Sequence, residues 1–224
     1  MIREARMALE KGQITKMVIG VMVIAAAWWW FTRRNGEQDF EKAHAAVMTV
    51  KSWNVRTTYG TGADQQVTIV QHECPANVHT VRRGSAGMEM GMGREEIQIG
   101  ADLYYLSSET NAWTKSGYPV EHPDLICSRL ERKSDTEPFP PLIEMSRRAI
   151  FSQGSVTTVN SEKCREWNLQ ITHPLGTRKE MVCLGVDDFL PRRWVANGTE
   201  TVYSDWNKPM NIRAPEGAVT AQEY

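Results

Sequence analysis

Residues 17–31, MVIGVMVIAAAWWWF, form an uncharged run that lies between basic residues. As a helix rising about 1.5 Å per residue, the run is about 22 Å long. Counted from Ile14 to Thr32, with the Lys16 side chain reaching the surface, it is about 28 Å long. A hydrocarbon core is about 30 Å thick, so this length is just sufficient to cross it. The run predicts a transmembrane helix over residues 17–32, contacting the bilayer through Met17–Phe31.

Two other interpretations of this run stay open. A cleaved signal peptide has an apolar region of about 7–15 residues, and Ala25-Ala26-Ala27 has the small side chains of a cleavage site, which would leave Trp28 N-terminal. The three tryptophans favour an uncleaved anchor, because they prolong the apolar run past that site and suit the membrane interface. A buried core helix is the third interpretation.

Basic residues on the two sides of the run predict its orientation. Four precede it and two follow it directly: Arg3, Arg6, Lys11 and Lys16, then Arg33 and Arg34. This bias predicts a cytoplasmic N-terminal segment over residues 1–16 and a single pass through the inner (cytoplasmic) membrane. The C-terminal domain is then expected in the periplasm or another extracytoplasmic space.

The rest of the chain has the size of one domain and a mildly acidic balance. The first 34 residues hold six of the 26 basic and two of the 27 acidic residues, which leaves 20 and 25 for the remainder. That balance argues against a nucleic-acid-binding surface, which needs clustered Lys and Arg, so no nucleic-acid partner is expected. The remaining 190 residues are enough for one sizeable core.

All four cysteines follow the apolar run, and an even number outside the cytoplasm indicates disulfides. Four cysteines allow three pairings. Cys164 and Cys183 flank a predicted hairpin that turns at residues 173–176, at nearly equal offsets, so they should face each other across two strands. That leaves Cys74 with Cys127.

The pattern after residue 32 predicts a mainly β (α+β) domain. Residues 33–52 are predicted to hold a linker and an amphipathic helix, which buries Phe40, Ala43, Val47 and Val50 at three- and four-residue spacing. The alternation then changes to two residues. About eleven strands are predicted, at Trp53–Tyr59, Gln66–Cys74, Asn77–Arg83, Arg94–Ile99, Leu103–Ser108, Thr110–Lys115, Ser155–Asn160, Lys163–Thr172, Arg178–Gly185, Pro191–Ala196 and Thr199–Trp206, with a last extended piece at Met210–Ala214.

A second, inserted helix is predicted over residues 140–151, near whose start two prolines are tolerated. Many short antiparallel strands with tight turns favour a strongly curved sheet or incomplete barrel. The expected architecture is such a sheet over residues 53–224, with the leading and inserted helices covering its open face.

This order of elements resembles the LolA/LolB lipoprotein carriers and the LppX/LprG lipid carriers. The residues that carry the resemblance are DDFLPRR at 187–193, GTETVYSDWNKPMNIRAPEG at 198–217 and the hairpin EEIQIGADLYYLSSETNAW at 95–113. The resemblance implies a half-barrel with an apolar cavity that shields acyl chains. A membrane tether departs from the group, whose members are soluble or lipid-anchored. A non-catalytic accessory subunit of a membrane complex, using the half-barrel to bind protein partners, is therefore the alternative function.

Aromatic and β-branched side chains supply candidates for the lining of such a cavity. The set is Trp53, Tyr59, Val67, Ile69, Ile97, Ile99, Tyr105, Trp113, Trp167, Trp194 and Trp206. The alternative for each is plain core packing, in which buried aromatics are prominent.

Catalytic and metal sites are not predicted. The chain has no nucleophile elbow, phosphate-binding loop or dinucleotide fingerprint, so it is not expected to be an enzyme or to need a cofactor. The run GMEMGMG at 87–93 has thioethers that could bind Cu(I), but it contains no histidine or cysteine, and a soft apolar loop is the simpler interpretation. Asn197-Gly198-Thr199 fits a glycosylation sequon and, better, a tight hairpin turn.

Overall fold

A computed structural model describes residues 18–19, 21–24, 35–84, 95–107, 110–120, 142–173 and 176–221. The described part of its leading helix, α1, covers residues 35–47, inside the predicted range 33–52. The predicted buried face is confirmed: Phe40, Ala43, Val47 and Val50 are each at most 5% exposed.

Most of the predicted transmembrane segment lies outside the described residues. The six that are described, 18–19 and 21–24, are helical, and the large apolar side chains among them are exposed. Within the described part of the chain, no helix is both long enough and apolar enough to span a bilayer. The anchor stays a prediction.

Twelve strands form one open, curved sheet in the order β12-β6-β5-β4-β3-β2-β1-β11-β10-β9-β8-β7. All neighbours are antiparallel except β12 and β6. The strands are β1 Ser52–Tyr59, β2 Gln66–Glu73, β3 Asn77–Arg83, β4 Glu95–Ile99, β5 Asp102–Leu106, β6 Trp113–Lys115, β7 Ala149–Val159, β8 Glu162–His173, β9 Gly176–Gly185, β10 Pro191–Ala196, β11 Thr199–Ser204 and β12 Val219–Thr220. The predicted mainly β architecture is confirmed, with one strand more than expected.

Three predicted boundaries were wrong. The inserted helix, α2, covers Leu142–Arg148, and the chain enters β7 at Ala149, six residues before the predicted strand. The last strand pair involves Val219–Thr220, whereas residues 210–214 belong to no strand. The strand predicted from residue 110 begins only at Trp113.

Helix α1 packs on one face of the sheet, here called the inner face. Phe40 lies 5.1 Å from the Phe151 ring of β7, and Phe151 meets Trp167 of β8 edge-on at 6.2 Å. The core continues through strands β1, β9, β10 and β11, with Trp53 and Tyr203 fully buried. The burial of these aromatic side chains against α1 therefore stabilises half of the sheet.

The direction of α1 follows from contacts near its two ends. Gly36 lies against Phe151, at the start of β7, whereas the Lys42 ammonium lies 4.7 Å from the ring of Phe189, in the loop between β9 and β10. Because strands β7 and β9 run oppositely to β8, these contacts lie at opposite ends of the sheet. We call the end at which α1 begins the proximal end, and the other the distal end.

The predicted Cys164–Cys183 disulfide is confirmed, with Cα atoms 5.4 Å apart. The hairpin offsets predicted that the two residues would lie directly opposite each other, and this detail was wrong. Cys164 pairs with Gly185 and Cys183 with Glu166, so the bond runs diagonally between β8 and β9. Cys74 is also disulfide-bonded, and its predicted partner Cys127 lies outside the described residues.

The motif DDFLPRR forms the distal turn between β9 and β10. Asp188 accepts hydrogen bonds from the Leu190 amide at 3.1 Å and from the Arg192 guanidinium at 2.6 Å. Arg192, 6% exposed at a bulge in β10, also pairs with Glu162 at the start of β8. The motif thus ties three strands together and has a structural role.

The contact between Gly36 and Phe151 generates a test of how α1 is docked. A Cβ added at Gly36 would lie 2.5 Å from Phe151 Cγ, so Gly36→Ala forces the helix away from the sheet. We expect the free energy of unfolding to fall by about 1–2 kcal/mol. Helix propensity alone would raise it by about 0.5–1 kcal/mol. Urea unfolding of the full chain in detergent micelles measures the change.

Gln38→Ala, at an exposed position of the same helix, is the control and should change stability little. A stabilising effect of Gly36→Ala would contradict the docking of α1 on β7.

Candidate functional site

The inner face has two unlike halves. Under α1, side chains from β1 and β7–β11 are packed into a filled core. Beyond β1, the strand register carries the inner face on to alternate residues of β2–β5, which are half-buried: Thr68, Val70, His72, Val78, Thr80, Arg82, Glu96, Gln98, Leu103 and Tyr105. We call this second half the open half. Its apolar side chains are only partly buried.

The predicted lining residues are divided between the core, its margin and the two faces. Trp53 and Trp167 are buried in the core, and Trp194 and Trp206 pack against it. Tyr105 lies on the open half. Tyr59, 48% exposed, lies on the inner face at the proximal end of β1.

The other five lie on the opposite, outer face. Trp53 pairs with His72, and Tyr59 with Gln66, so the odd-numbered residues of β1 share a face with the even-numbered residues of β2. By the same register the outer face receives Val67, Ile69, Ile97, Ile99 and Trp113. The structure therefore does not bring these five together with the tryptophans of the core.

His72 marks the boundary between the two halves. Its ring stacks on Trp53, with centroids 4.5 Å apart and planes inclined by 19°. The Nδ1 atom is buried without a hydrogen-bond partner. Burial disfavours the imidazolium and lowers the pKa of His72 from 6.5 to about 4.

An ion pair lies near the proximal end of the open half. Arg82 of β3 and Glu96 of β4 are on the inner face, with Nη1 and Oε1 2.8 Å apart. Apolar side chains of β2, β3 and β5, among them Val70, Val78 and Leu103, share this surface. The arrangement can accept an amphiphile, with apolar contacts to its chain and charged contacts to its polar group.

A second polar group is buried at the proximal end of the core half. The Glu180 side chain is fully buried on β9 and accepts a hydrogen bond from Trp194 Nε1 at 2.7 Å. Its other oxygen contacts the Arg178 guanidinium, which is partly exposed. These contacts fix the orientation of Trp194, a predicted lining residue, at the margin of the core.

Sequence reasoning missed His72, Arg82, Glu96 and Glu180. Each lies in a strand whose side chains alternate between the two faces of the sheet. Without the neighbouring strand, the sequence does not determine which of the two faces is the inner one. For His72, Arg82 and Glu96, the signal that could have assigned the face is the register across the 60–65 connection, where the spacing sets which residues pair. For Glu180, it is the register of the β8–β9 hairpin.

Metal ligands are not assembled in the described part of the chain. No group of three or more histidine, cysteine or carboxylate side chains converges there. The methionine run at 87–93 lies outside the described residues. A shallow depression of about 280 Å³ at the distal corner of β5, β6 and β12 is lined by polar groups such as Asp102 and Lys115 and lies away from the open half.

No protein-family model and no curated protein matches the sequence. Solved structures do match. LprF from Mycobacterium bovis aligns with a TM-score of 0.56 at 12% identity, over 82% of this chain and 98% of LprF. The lipoprotein LppX from Mycobacterium tuberculosis aligns with a TM-score of 0.52 at 13% identity, over 80% of this chain and 99% of LppX. The chain has the LppX-like fold. The resemblance predicted from the sequence is confirmed at that level.

The buried His72 predicts a pH dependence of stability. The unfolded chain binds a proton near pH 6.5, whereas the folded chain resists protonation down to about pH 4. The free energy of unfolding should therefore fall by about 3 kcal/mol between pH 6.5 and pH 4, because each pKa unit of difference contributes about 1.4 kcal/mol. Urea unfolding at stepped pH measures it.

The decrease in the free energy of unfolding between pH 6.5 and pH 4 should disappear in His72→Gln. The matched change His44→Gln on α1 should leave that decrease in place. An unchanged slope in His72→Gln would contradict the assignment to His72.

The Glu180 contacts predict graded effects on stability. Glu180→Ala removes the acceptor of Trp194 Nε1 and the partner of Arg178, and should cost about 1–3 kcal/mol. Glu180→Gln keeps an acceptor oxygen for Trp194 and should cost less. Urea unfolding ranks the two variants, and equal losses would show that the hydrogen bond to Trp194 contributes nothing.

Proposed function

We propose that this protein is a non-catalytic, membrane-anchored binder of a lipid or a lipidated ligand, held in the extracytoplasmic space. The acyl chain lies on the open half against Val70, Val78, Leu103 and Tyr105, and the polar group faces Arg82 and Glu96. Binding is passive, with about 0.8 kcal/mol contributed by each buried methylene.

The observation that carries the proposal is the contrast between the two halves of the inner face. Under α1 the core is filled, with Trp53 and Trp167 at most 1% exposed. On the open half, side chains of the same face are half-buried and mix apolar groups with an ion pair. The LppX-like fold and the carrier function implied by the resemblance support this placement.

A second function, as an accessory subunit that binds protein, is favoured by the outer face. Apolar side chains of β2–β5 line up there in direct register, including Ile69 with Val81 and Ile97 with Tyr104. Ile69, Val81 and Ile99 are partly exposed and thus accessible to a partner, whereas Ile97 and Tyr104, each 9% exposed, are already covered within the chain. A protein partner would bind across this outer surface and leave the open half free of lipid.

Filling the open half tests the proposal. The full chain, extracted in mild detergent, is examined by native mass spectrometry for retained lipid. Wild type should carry a lipid adduct, and Val70→Trp should reduce the adduct fraction at least fivefold, because the indole occupies the proposed acyl position. Ile69→Trp is the matched control, since the neighbouring residue points to the outer face.

No adduct on wild type, or equal adducts on both variants, would contradict lipid binding on the open half. A stoichiometric protein partner that is lost in Ile69→Trp would instead support the accessory-subunit function.

A further inference from the structure

The direction of α1 fixes how the half-barrel stands relative to the predicted anchor. The described part of α1 starts at residue 35, and the predicted transmembrane helix ends at residue 32. Three Cα–Cα steps span at most about 11 Å, so the first turn of α1 must lie close to the membrane surface. The contact of Gly36 with Phe151 places that turn at the proximal end of the sheet.

We infer that the proximal end of the half-barrel faces the bilayer and that its partner is the outer leaflet of the same membrane. This inference rests on the anchor of the proposed function. Helix α1 is about 20 Å long, with 13 residues at about 1.5 Å each, and is held along the sheet by Phe40 and by the Lys42 contact with Phe189. The distal end can therefore stand up to about that far from the leaflet.

Side chains at the proximal end suit a lipid surface. Ile150, at the start of β7, and Tyr59, at the end of β1, are 45% and 48% exposed. Among the described residues at this end, Arg83, Arg147 and Lys179 are exposed, as is the carboxylate of Asp64, and the Glu200 side chain, beside Arg193, is partly exposed. Cations are attracted to an anionic leaflet, and exposed apolar or aromatic side chains suit its interface.

The orientation also gives the ligand a route. The open half ends at the proximal edge, where β1 and β2 join through residues 60–65. An acyl chain from the leaflet would then reach Val70 and Tyr105 along the inner face, past the Arg82–Glu96 ion pair. The ligand class that follows is a lipid of the membrane that holds the anchor.

Photo-cross-linking compares the two ends with matched positions. The full chain is reconstituted into phosphatidylglycerol–phosphatidylcholine vesicles, with p-benzoyl-phenylalanine replacing one exposed residue at a time. Tyr59 and Ile150 report the proximal end, whereas Tyr118 and Val186, which are 76% and 37% exposed, report the distal end. We expect lipid adducts at Tyr59 and Ile150 at least ten times as abundant as at Tyr118 and Val186.

Equal adducts at both ends, or more at Tyr118 and Val186, would overturn the orientation. Ile150 separates this inference from lipid binding on the open half, because it pairs with Gln170 on the outer face. Its adduct should persist in Val70→Trp, whose open half is blocked. Release of the chain from vesicles by alkaline carbonate would refute the anchor and this orientation, but not lipid binding in the native mass spectrum.

Discussion

The docking of α1 on the aromatic side chains of β7 and β8 determines which half of the inner face is filled and which half is open. Phe40, Phe151 and Trp167 form a continuous series of tilted and edge-on ring contacts, and the helix covers the inner face over half of the sheet. Gly36 is required at the first turn because the Phe151 ring occupies the space of a side chain. The filled half of the sheet, the position of the open half and the direction of the chain entering α1 all follow from this contact.

The sequence was sufficient for features whose signal is local. The 3.6-residue spacing identified the buried face of α1, and the flanking cysteines identified the β8–β9 hairpin. It was insufficient for the end of α2, where Arg147 and Arg148 suit a helical last turn and no glycine or proline marks the change. There the pairing of β7 with β8 prevails over local preference, since Ala149 and Phe151 gain core contacts as strand residues.

The candidate site was harder to predict because a strand's alternation gives two faces but not which face is inner. That choice depends on the register with the neighbouring strand, and a shift of one residue reverses it. Residues 60–65 connect β1 to β2 through a short 3-10 turn. This connection pairs Tyr59 with Gln66, and in that register the side chains of Val67 and Ile69 lie on the outer face. The apolar residues chosen from β2 and β4 therefore lie together on the outer face, opposite to that of Trp53 on β1.

A half-barrel held by the predicted anchor cannot move as a diffusing carrier does, and α1 determines its orientation relative to that anchor. Turning the distal end toward the anchoring membrane would require α1 to leave the sheet, exposing Phe40 and the rings against which it packs. Losing a buried phenylalanine contact of this kind costs several kcal/mol, so the proposed orientation should persist through binding. Under the proposed anchoring, a ligand taken from the leaflet at the proximal end would be returned to it, or be passed to a partner that reaches the edge of the open half. Free diffusion across an envelope would be incompatible with that proposal.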